Sequence, residues 1–401
     1  MTRILLAFLP LFLGADWPQF LGPTRDGHST ETGLLKAWPK DGPRIAWTRD
    51  VGNGWAGPVA AEGKVILFHR VDDDEITLNL DAATGKEVWK YASRTRYRDD
   101  FGFDNGPRAT PLIAGGRVFT LGANGDLTAL DFATGKALWH RNLIADYAAP
   151  KGFFGIACSP LLAGGKLLVN VGAKGAGIVA FDPATGKEAW KATDDAASYS
   201  SPTVGEIGGA TLAVFLTRQG LVALEPETGK VRYTFPWRPR LNESVNAATP
   251  LVWKGEVFLS VSYSTGAVVL KVNGAELEEV WSNDKSLSSQ YNTPVRVGDY
   301  LYGTHGRSDV GTAQLRCVEW KTGEVKWSEP RFGVASLIAV DGACLALTEA
   351  GELVRFEATP EGYKEQARAT LLTKPTRAAP ALADGRFFAR DGSKLIGVEL
   401  K

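Results

Sequence analysis

The side chains able to do metal or nucleophilic chemistry are thinly spread through these 401 residues. His28, His69, His140 and His305 stand alone, and no HExxH pair, Walker-type glycine loop or GxSxG elbow occurs. Cys158, Cys317 and Cys344 are odd in number, far apart and form no CxxC, so they make neither a disulfide framework nor a zinc cluster and read as small buried apolar residues. The longest run of one charge, Asp72-Asp73-Asp74-Glu75, reads as a solvated turn rather than a calcium site. What remains clusters ahead of a recurring small-residue-proline pair: Asn53 and Trp55; Asp104, Asn105 and Arg108; Tyr199; Glu243 and Asn246; Gln290, Tyr291 and Asn292; Lys374 and Arg377. Glu243 and Asn246 can ligate a hard cation through oxygen, and Arg108 and Arg377 can grip a carboxylate. No residue is assigned a catalytic role and no metal ligand is assigned. Recognition has better material. The stretch 91–108 mixes Arg96, Tyr97, Phe101 and Phe103 with further arginines and aspartates, and Phe153 and Phe154 follow nearby. Arginine and aromatic residues dominate the energetic centres of protein interfaces, so Arg96, Tyr97, Phe101, Phe103, Phe153 and Phe154 are the expected partner-binding set.

These groups need a frame, and composition narrows it. The 45 basic and 45 acidic side chains balance to a formal net charge of zero, without a basic block, which argues against nucleic acid or an anionic membrane as partner. With 45 Gly and 21 Pro spread evenly beside 12 Trp, the chain reads as turn-dense and aromatic-anchored, hence all-β rather than disordered. Residues 1–15 read separately: Arg3 precedes an apolar run from Ile4 to Leu13, then Gly14-Ala15 ahead of Asp16, the pattern of an export signal and too short to span a bilayer. A soluble, extracytoplasmic and monomeric protein of residues 16–401, not membrane-spanning, is expected.

A repeat organises everything after it. Asp81-Ala-Ala-Thr-Gly-Lys-Glu-Val-Trp89 returns as Asp131 to Trp139 and Asp182 to Trp190, and persists more weakly as Glu225 to Tyr233 and Glu319 to Trp327, with Lys271 to Trp281 a degenerate copy. A small residue and proline precede each copy, at Gly57-Pro58, Thr110-Pro111, Ser159-Pro160, Ser201-Pro202, Thr249-Pro250, Thr293-Pro294 and Ala379-Pro380, with Ser336-Leu337 in the remaining slot. Each repeat holds four short apolar runs separated by glycine turns, and no stretch sustains a helical period. The pattern predicts an eight-bladed β-propeller of four-stranded antiparallel blades forming a single domain. The last repeat lacks its fourth strand and its tryptophan, while Arg44-Ile-Ala-Trp47 supplies a spare one, so the N-terminal strand is expected to close the ring.

Ala129-Leu-Asp131-Phe-Ala-Thr-Gly-Lys-Ala-Leu-Trp139, with Ala180 and Ala223 leading the same frame later, resembles the tryptophan-docking repeat of the PQQ-like eight-bladed propeller superfamily. The opening Asp16-Trp-Pro-Gln-Phe-Leu-Gly-Pro-Thr-Arg-Asp-Gly27 is similar to the start of secreted members of that superfamily. The resemblance implies one of two functions. One is a non-catalytic scaffold for an extracytoplasmic protein or peptide in the cell envelope, without cofactor, as in proteins resembling the outer-membrane-protein assembly factor BamB. The alternative is a quinoprotein dehydrogenase oxidising an alcohol or sugar with PQQ and calcium, for which Arg108, Glu243, Asn246 and Arg377 would be the cofactor-binding candidates. The absence of adjacent cysteines and of an aspartate in the fifth or seventh pre-strand stretch favours the scaffold.

Overall fold

The computed structural model describes residues 15–241 and 244–401. The expected export signal therefore falls, but for its last residue, outside the described residues, as does Glu243.

Eight four-stranded sheets follow one another around a ring, each a meander of sequence-adjacent antiparallel strands. The exception proves the closure. Strand Ile45–Asp50 pairs antiparallel with Lys394–Glu399, with Trp47 opposite Gly397, and completes the sheet begun by Ala381–Ala383 and Arg386–Arg390. The first described strand and the last thus share a blade, and neither end of the ring keeps an open edge. One helix was not foreseen: the short Leu143–Tyr147, whose N-cap Asn142 accepts a hydrogen bond from Ala145 N.

The repeat motif works across the seam between blades. In the turn itself, the Asp81 carboxylate accepts from Thr84 N and Oγ1, and Asp131 and Asp182 do the same for Thr134 and Thr185, which holds all three carboxyls below their usual range. The tryptophan then reaches the turn of the next blade. Trp89 Nε1 donates to Phe132 O at 2.9 Å, and its ring lies so close under Gly135 that a Cβ there would sit 2.6 Å from Trp89 Cδ2. Trp47, Trp139, Trp190 and Trp281 repeat both contacts against the turns of the following blades, at Gly85, Gly186, Gly229 and Gly323. The glycine is thus required twice, for its left-handed φ of +72° at Gly135 and for the indole beneath it. The degenerate fifth copy explains itself: its neighbour offers Tyr233 instead of tryptophan, and nothing lies within 4 Å of a Cβ at Gly274.

The marker ahead of each proline has its own task. Gly57 N donates to Thr110 Oγ1, Thr110 N to Ser159 Oγ, Ser159 N to Ser201 Oγ and Thr249 N to Thr293 Oγ1, all at 2.9–3.0 Å. Proline cannot donate, so the hydroxyl of one blade satisfies the amide just ahead of it in the previous blade. Four of the eight neighbouring pairs of innermost strands are stitched together around the axis in this way.

The segment before the first blade crosses that axis. Trp17 exchanges backbone hydrogen bonds with Ala60 of the first blade, and Pro18 O accepts from Ile113 of the second. Arg25, fully buried, donates to Pro160 O at 2.7 Å and Ser159 O at 3.1 Å in the third, and two residues later Gly27 O accepts from Ala339 of the seventh, on the far side of the ring. Glu31 then accepts from Gly385 N and pairs with Lys401 in the eighth. The axial channel is therefore stopped at one end.

Candidate functional site

The stopped channel is a blind well of about 440 Å³, floored by Phe20 and Leu21 and by marker residues such as Ser159 and Ser201. That volume lies in the usual range for ligand pockets. Its walls carry Trp55, Arg108, Tyr199, Tyr291, Asn292 and Arg377, and its rim carries Phe101, Phe103, Phe153 and Phe154.

The rim is built by two inter-blade stretches. In 95–108, the Asp99 side chain is fully buried and accepts from the backbone N–H groups of Phe101, Phe103 and Asp104 and from Arg108 Nη2 at 3.0 Å. Arg70, itself buried, donates to Tyr97 O and Asn105 O. Lys151 joins the second stretch to the first through Arg98 O and the Asp100 carboxylate, and Tyr199 Oη accepts from the amides of Phe153 and Phe154. With backbones and charges pinned inward, the phenyl rings point out. Phe101 is 54% exposed, Phe103 60% and Phe153 38%. Neighbouring ring centroids among these three and Phe154 lie 5.4–6.5 Å apart in one cluster, which Tyr199 extends.

The six residues expected to meet a partner therefore divide. Four phenylalanines come together. Tyr97 does not join them at the surface: it is 2% exposed, lies against Gly155, and its hydroxyl faces Arg108 across 3.4 Å, so burial pushes its phenol up to about 12. Its neighbours Thr95 and Asp99 are buried too, which an alternating strand-like register at 95–99 would have revealed. Arg96 is exposed and outside the lining of the well. The acidic run also needs correction at one position. Asp73 is a half-buried turn residue paired with Arg70 and Arg98, but Glu75 is 1% exposed at the seam with the second blade, accepting from Ala123 N, and burial pushes its carboxyl up to about 7.

Of the candidate cofactor ligands, Arg108 and Arg377 do converge, with guanidinium carbons 4.7 and 4.8 Å from the Trp55 ring. Both are already matched, Arg108 by Asp99 and Arg377 by Glu349 at 2.7 Å. Asn246 stays out of the well: fully buried, it donates to Thr217 O and Trp237 O while its own carbonyl accepts from Tyr199 N. Asp309 is held by Arg307 and Gln290. Among the described residues no group of three or more carboxylates, histidines and cysteines gathers as a metal site. A calcium-PQQ pair calls for clustered oxygen donors and unspent cations; Arg108 and Arg377 already face carboxylates, and Asn246, whose Oδ1 is buried without a partner, lies outside the lining of the well. The three cysteines are buried and unpaired. No helix among the described residues is long and apolar enough to cross a membrane.

What the sequence did not disclose is the floor, whose Phe20 and Leu21 come from the N-terminal segment. The signal was present in the run from Trp17 to Gly27, but nothing in one-dimensional spacing says that it crosses an axis.

Comparison with known proteins agrees with this architecture. BamB of Burkholderia pseudomallei strain K96243 is 27% identical over 236 residues, which are 56% of this chain and 57% of that protein. Quinohemoprotein alcohol dehydrogenase ADH IIB of Pseudomonas putida is 30% identical over 176 residues, 40% of this chain and 24% of that enzyme. The matched region thus spans little more than half of the first relative and a quarter of the second. Among solved structures, BamB from Moraxella catarrhalis superposes with a TM-score of 0.63 at 16% identity, covering 89% of this chain and 98% of that one. Quinohemoprotein alcohol dehydrogenase from Comamonas testosteroni gives 0.64 at 15% identity, covering 96% and 80%. At such identities the superpositions speak to fold alone. A family model described as outer membrane protein assembly factor BamB matches residues 31–149 and 72–329, well over half of the chain. By that match, and by its eight docked blades, the chain belongs to the PQQ-like propeller family of BamB.

Proposed function

We propose that this protein is a non-catalytic scaffold outside the cytoplasm, which holds a segment of another envelope protein or a peptide against the mouth of its well. The observation that carries this is the phenylalanine rim. Soluble surfaces seldom expose several large apolar side chains side by side, and a rigidly mounted cluster of them marks an interaction site. Asp99, Arg70, Lys151 and Tyr199 hold the backbone, so little ordering entropy opposes binding. The dehydrogenase reading has only the relatives' names behind it, since the arginines that would meet a quinone are neutralised and Asn246 holds up the wall.

The test compares wild type with Phe101→Ser/Phe103→Ser/Phe153→Ser. Partners cross-linked in envelope extract are identified by mass spectrometry, after thermal melts confirm equal stability. Loss of a specific partner from the variant is the expected result. Equal recovery by two equally stable proteins refutes the rim. Micromolar PQQ binding with dye-linked alcohol oxidation refutes the non-catalytic reading.

A further inference from the structure

The floor of the well is ringed by hydroxyls that accept hydrogen bonds and donate none. Thr110 Oγ1, Ser159 Oγ, Ser201 Oγ and Thr293 Oγ1 each accept the amide of the preceding blade, and Ser336 Oγ accepts from Asn292 Nδ2 at 3.0 Å. All five line the well, the first four at no more than 5% exposure, and none donates to a described residue. A hydroxyl has one hydrogen and two lone pairs, so each keeps an O–H to offer. The other lining hydroxyls stand on the wall. Ser308 gives its hydrogen to Glu349, Tyr199 Oη is held by two rim amides, Tyr263 lies against Arg307, and Tyr291 Oη is buried without a partner near Arg377.

Beside the ring lies a buried charge without a counter-ion. Arg25 donates to Ser159 O, Pro160 O and Gln19 Oε1, which are neutral carbonyls, and no carboxylate pairs with it among the described residues. Burial lowers its pKa to about 9, so it remains charged at neutral pH. The wall arginines differ, since Arg108, Arg307 and Arg377 each face a carboxylate. O–H donors next to an unbalanced guanidinium favour an anionic acceptor and repel a cation. Above them the lining turns apolar, with Phe20, Leu21, Trp55 and Phe154. A bare inorganic anion would leave that surface uncovered, whereas a carboxylate on an apolar body satisfies both levels. The last residue of a polypeptide is such a body, and a blind well admits a chain end.

We infer that the well takes the carboxyl-terminal residue of a partner polypeptide. Its α-carboxylate is received by the adjacent O–H groups of Thr110, Ser159 and Ser201, next to Arg25; its apolar side chain packs on Trp55 and Phe154, and the preceding residues cross the phenylalanine rim. This rests on the scaffold reading of the rim and adds which part of the partner enters.

The test is calorimetric titration of the protein with N-acetylated glycine-serine hexapeptides ending in leucine or phenylalanine, each as free acid and as C-terminal amide, with N-acetylphenylalanine as the small-acid arm. At least one free acid is expected to bind in the millimolar range or tighter, ahead of N-acetylphenylalanine. It should exceed its own amide by about tenfold or more, equivalent to about 1.4 kcal/mol. Arg25→Met should erase most of that preference and Arg25→Lys retain it. Should either fail to fold, Thr110→Val decides: measured where it is folded, it should lower the acid-to-amide ratio about threefold or more. Equal binding of acid and amide, no binding of any hexapeptide, N-acetylphenylalanine binding as tightly as the hexapeptides, or an unchanged ratio in Thr110→Val would each overturn the inference. Phe101→Ser/Phe103→Ser/Phe153→Ser separates it from the rim. If acid and amide bind equally but both weaken in that variant, the chain-end site falls and the rim stands; if the acid preference and affinity survive in it, the rim falls and the site stands.

Discussion

Substituting Trp89 by Leu and Gly135 by Ala, singly and together, measures how far the two docking residues act as one device. Trp89 is 8% exposed among Val59, Ile66, Ile113, Val118, Leu130 and Phe132. Truncation of a buried tryptophan to alanine costs about 3–5 kcal/mol, and leucine retains part of the apolar volume, so Trp89→Leu should cost about 2–4 kcal/mol including the bond to Phe132 O. Gly135→Ala pays for a left-handed φ, about 1–2 kcal/mol, and for a Cβ placed 2.6 Å from Trp89 Cδ2, about 1–3 kcal/mol of overpacking. The double variant loses the overpacking because the ring has gone. It should therefore be more stable than the sum of the singles by about 1–3 kcal/mol. Gly274→Ala is the internal control: its φ of +62° carries the same strain with nothing within 4 Å to strike, so it should cost only about 1–2 kcal/mol. Urea unfolding followed by fluorescence and circular dichroism gives the four values, the two probes checking that one transition is observed. Additivity within about 0.5 kcal/mol, or equal costs for Gly135→Ala and Gly274→Ala, would refute the docking account.

Deleting residues 16–48 removes the closing strand and the axial stopper together, and a sharply lower melting temperature is expected; restoring 28–48 alone should recover ring closure but leave the well without Phe20 and Leu21, visible as faster exchange of the Thr110 and Ser159 amides. Ser159→Ala strands the Thr110 amide in the axial ring and should cost about 1–3 kcal/mol in urea unfolding, whereas Ser159→Thr, the residue at three other markers, should cost far less. Burial raises the folded pKa of Glu75 to about 7, above its ordinary 4.5, so the native state favours the protonated form: its contribution is full below pH 4.5 and is lost as pH rises through 7. Glu75→Gln should accordingly melt higher than wild type at pH 8 and nearly level with it at pH 4.5; identical pH profiles of melting temperature would refute the burial of an ionisable carboxyl at that seam.

Much of the molecule could be read in one dimension because its determinants are local and repeated. Thr-Gly-Lys turns, the tryptophan four residues beyond each glycine and the small residue before each proline recur with enough regularity to count the blades, and the spare Arg44 to Trp47 strand against a final repeat lacking one was enough to close them. Hairpins depend on a few adjacent residues, so their code survives without knowledge of neighbours. Phe101, Phe103, Phe153 and Phe154 were legible as candidates for the same reason: composition of a loop is a local property.

Which of those side chains face solvent was another matter. Tyr97 and Phe101 are four residues apart in one loop of similar composition, yet one is buried and the other exposed, because Arg70 and Asp99 take hold of the backbone between and around them. Arg108 and Arg377 looked like free cations until the fold set Asp99 and Glu349 against them, and Asn246 looked like a ligand until its amide was claimed by carbonyls 29 and nine residues away. The well itself exists only in three dimensions. Its wall is drawn from many blades, and its floor comes from a segment that meets the third blade at Arg25 and the seventh at Gly27. Local sequence sets torsions and turns through neighbours along the chain; burial, charge pairing and cavities depend on what the closed ring brings within a few ångströms from hundreds of residues away.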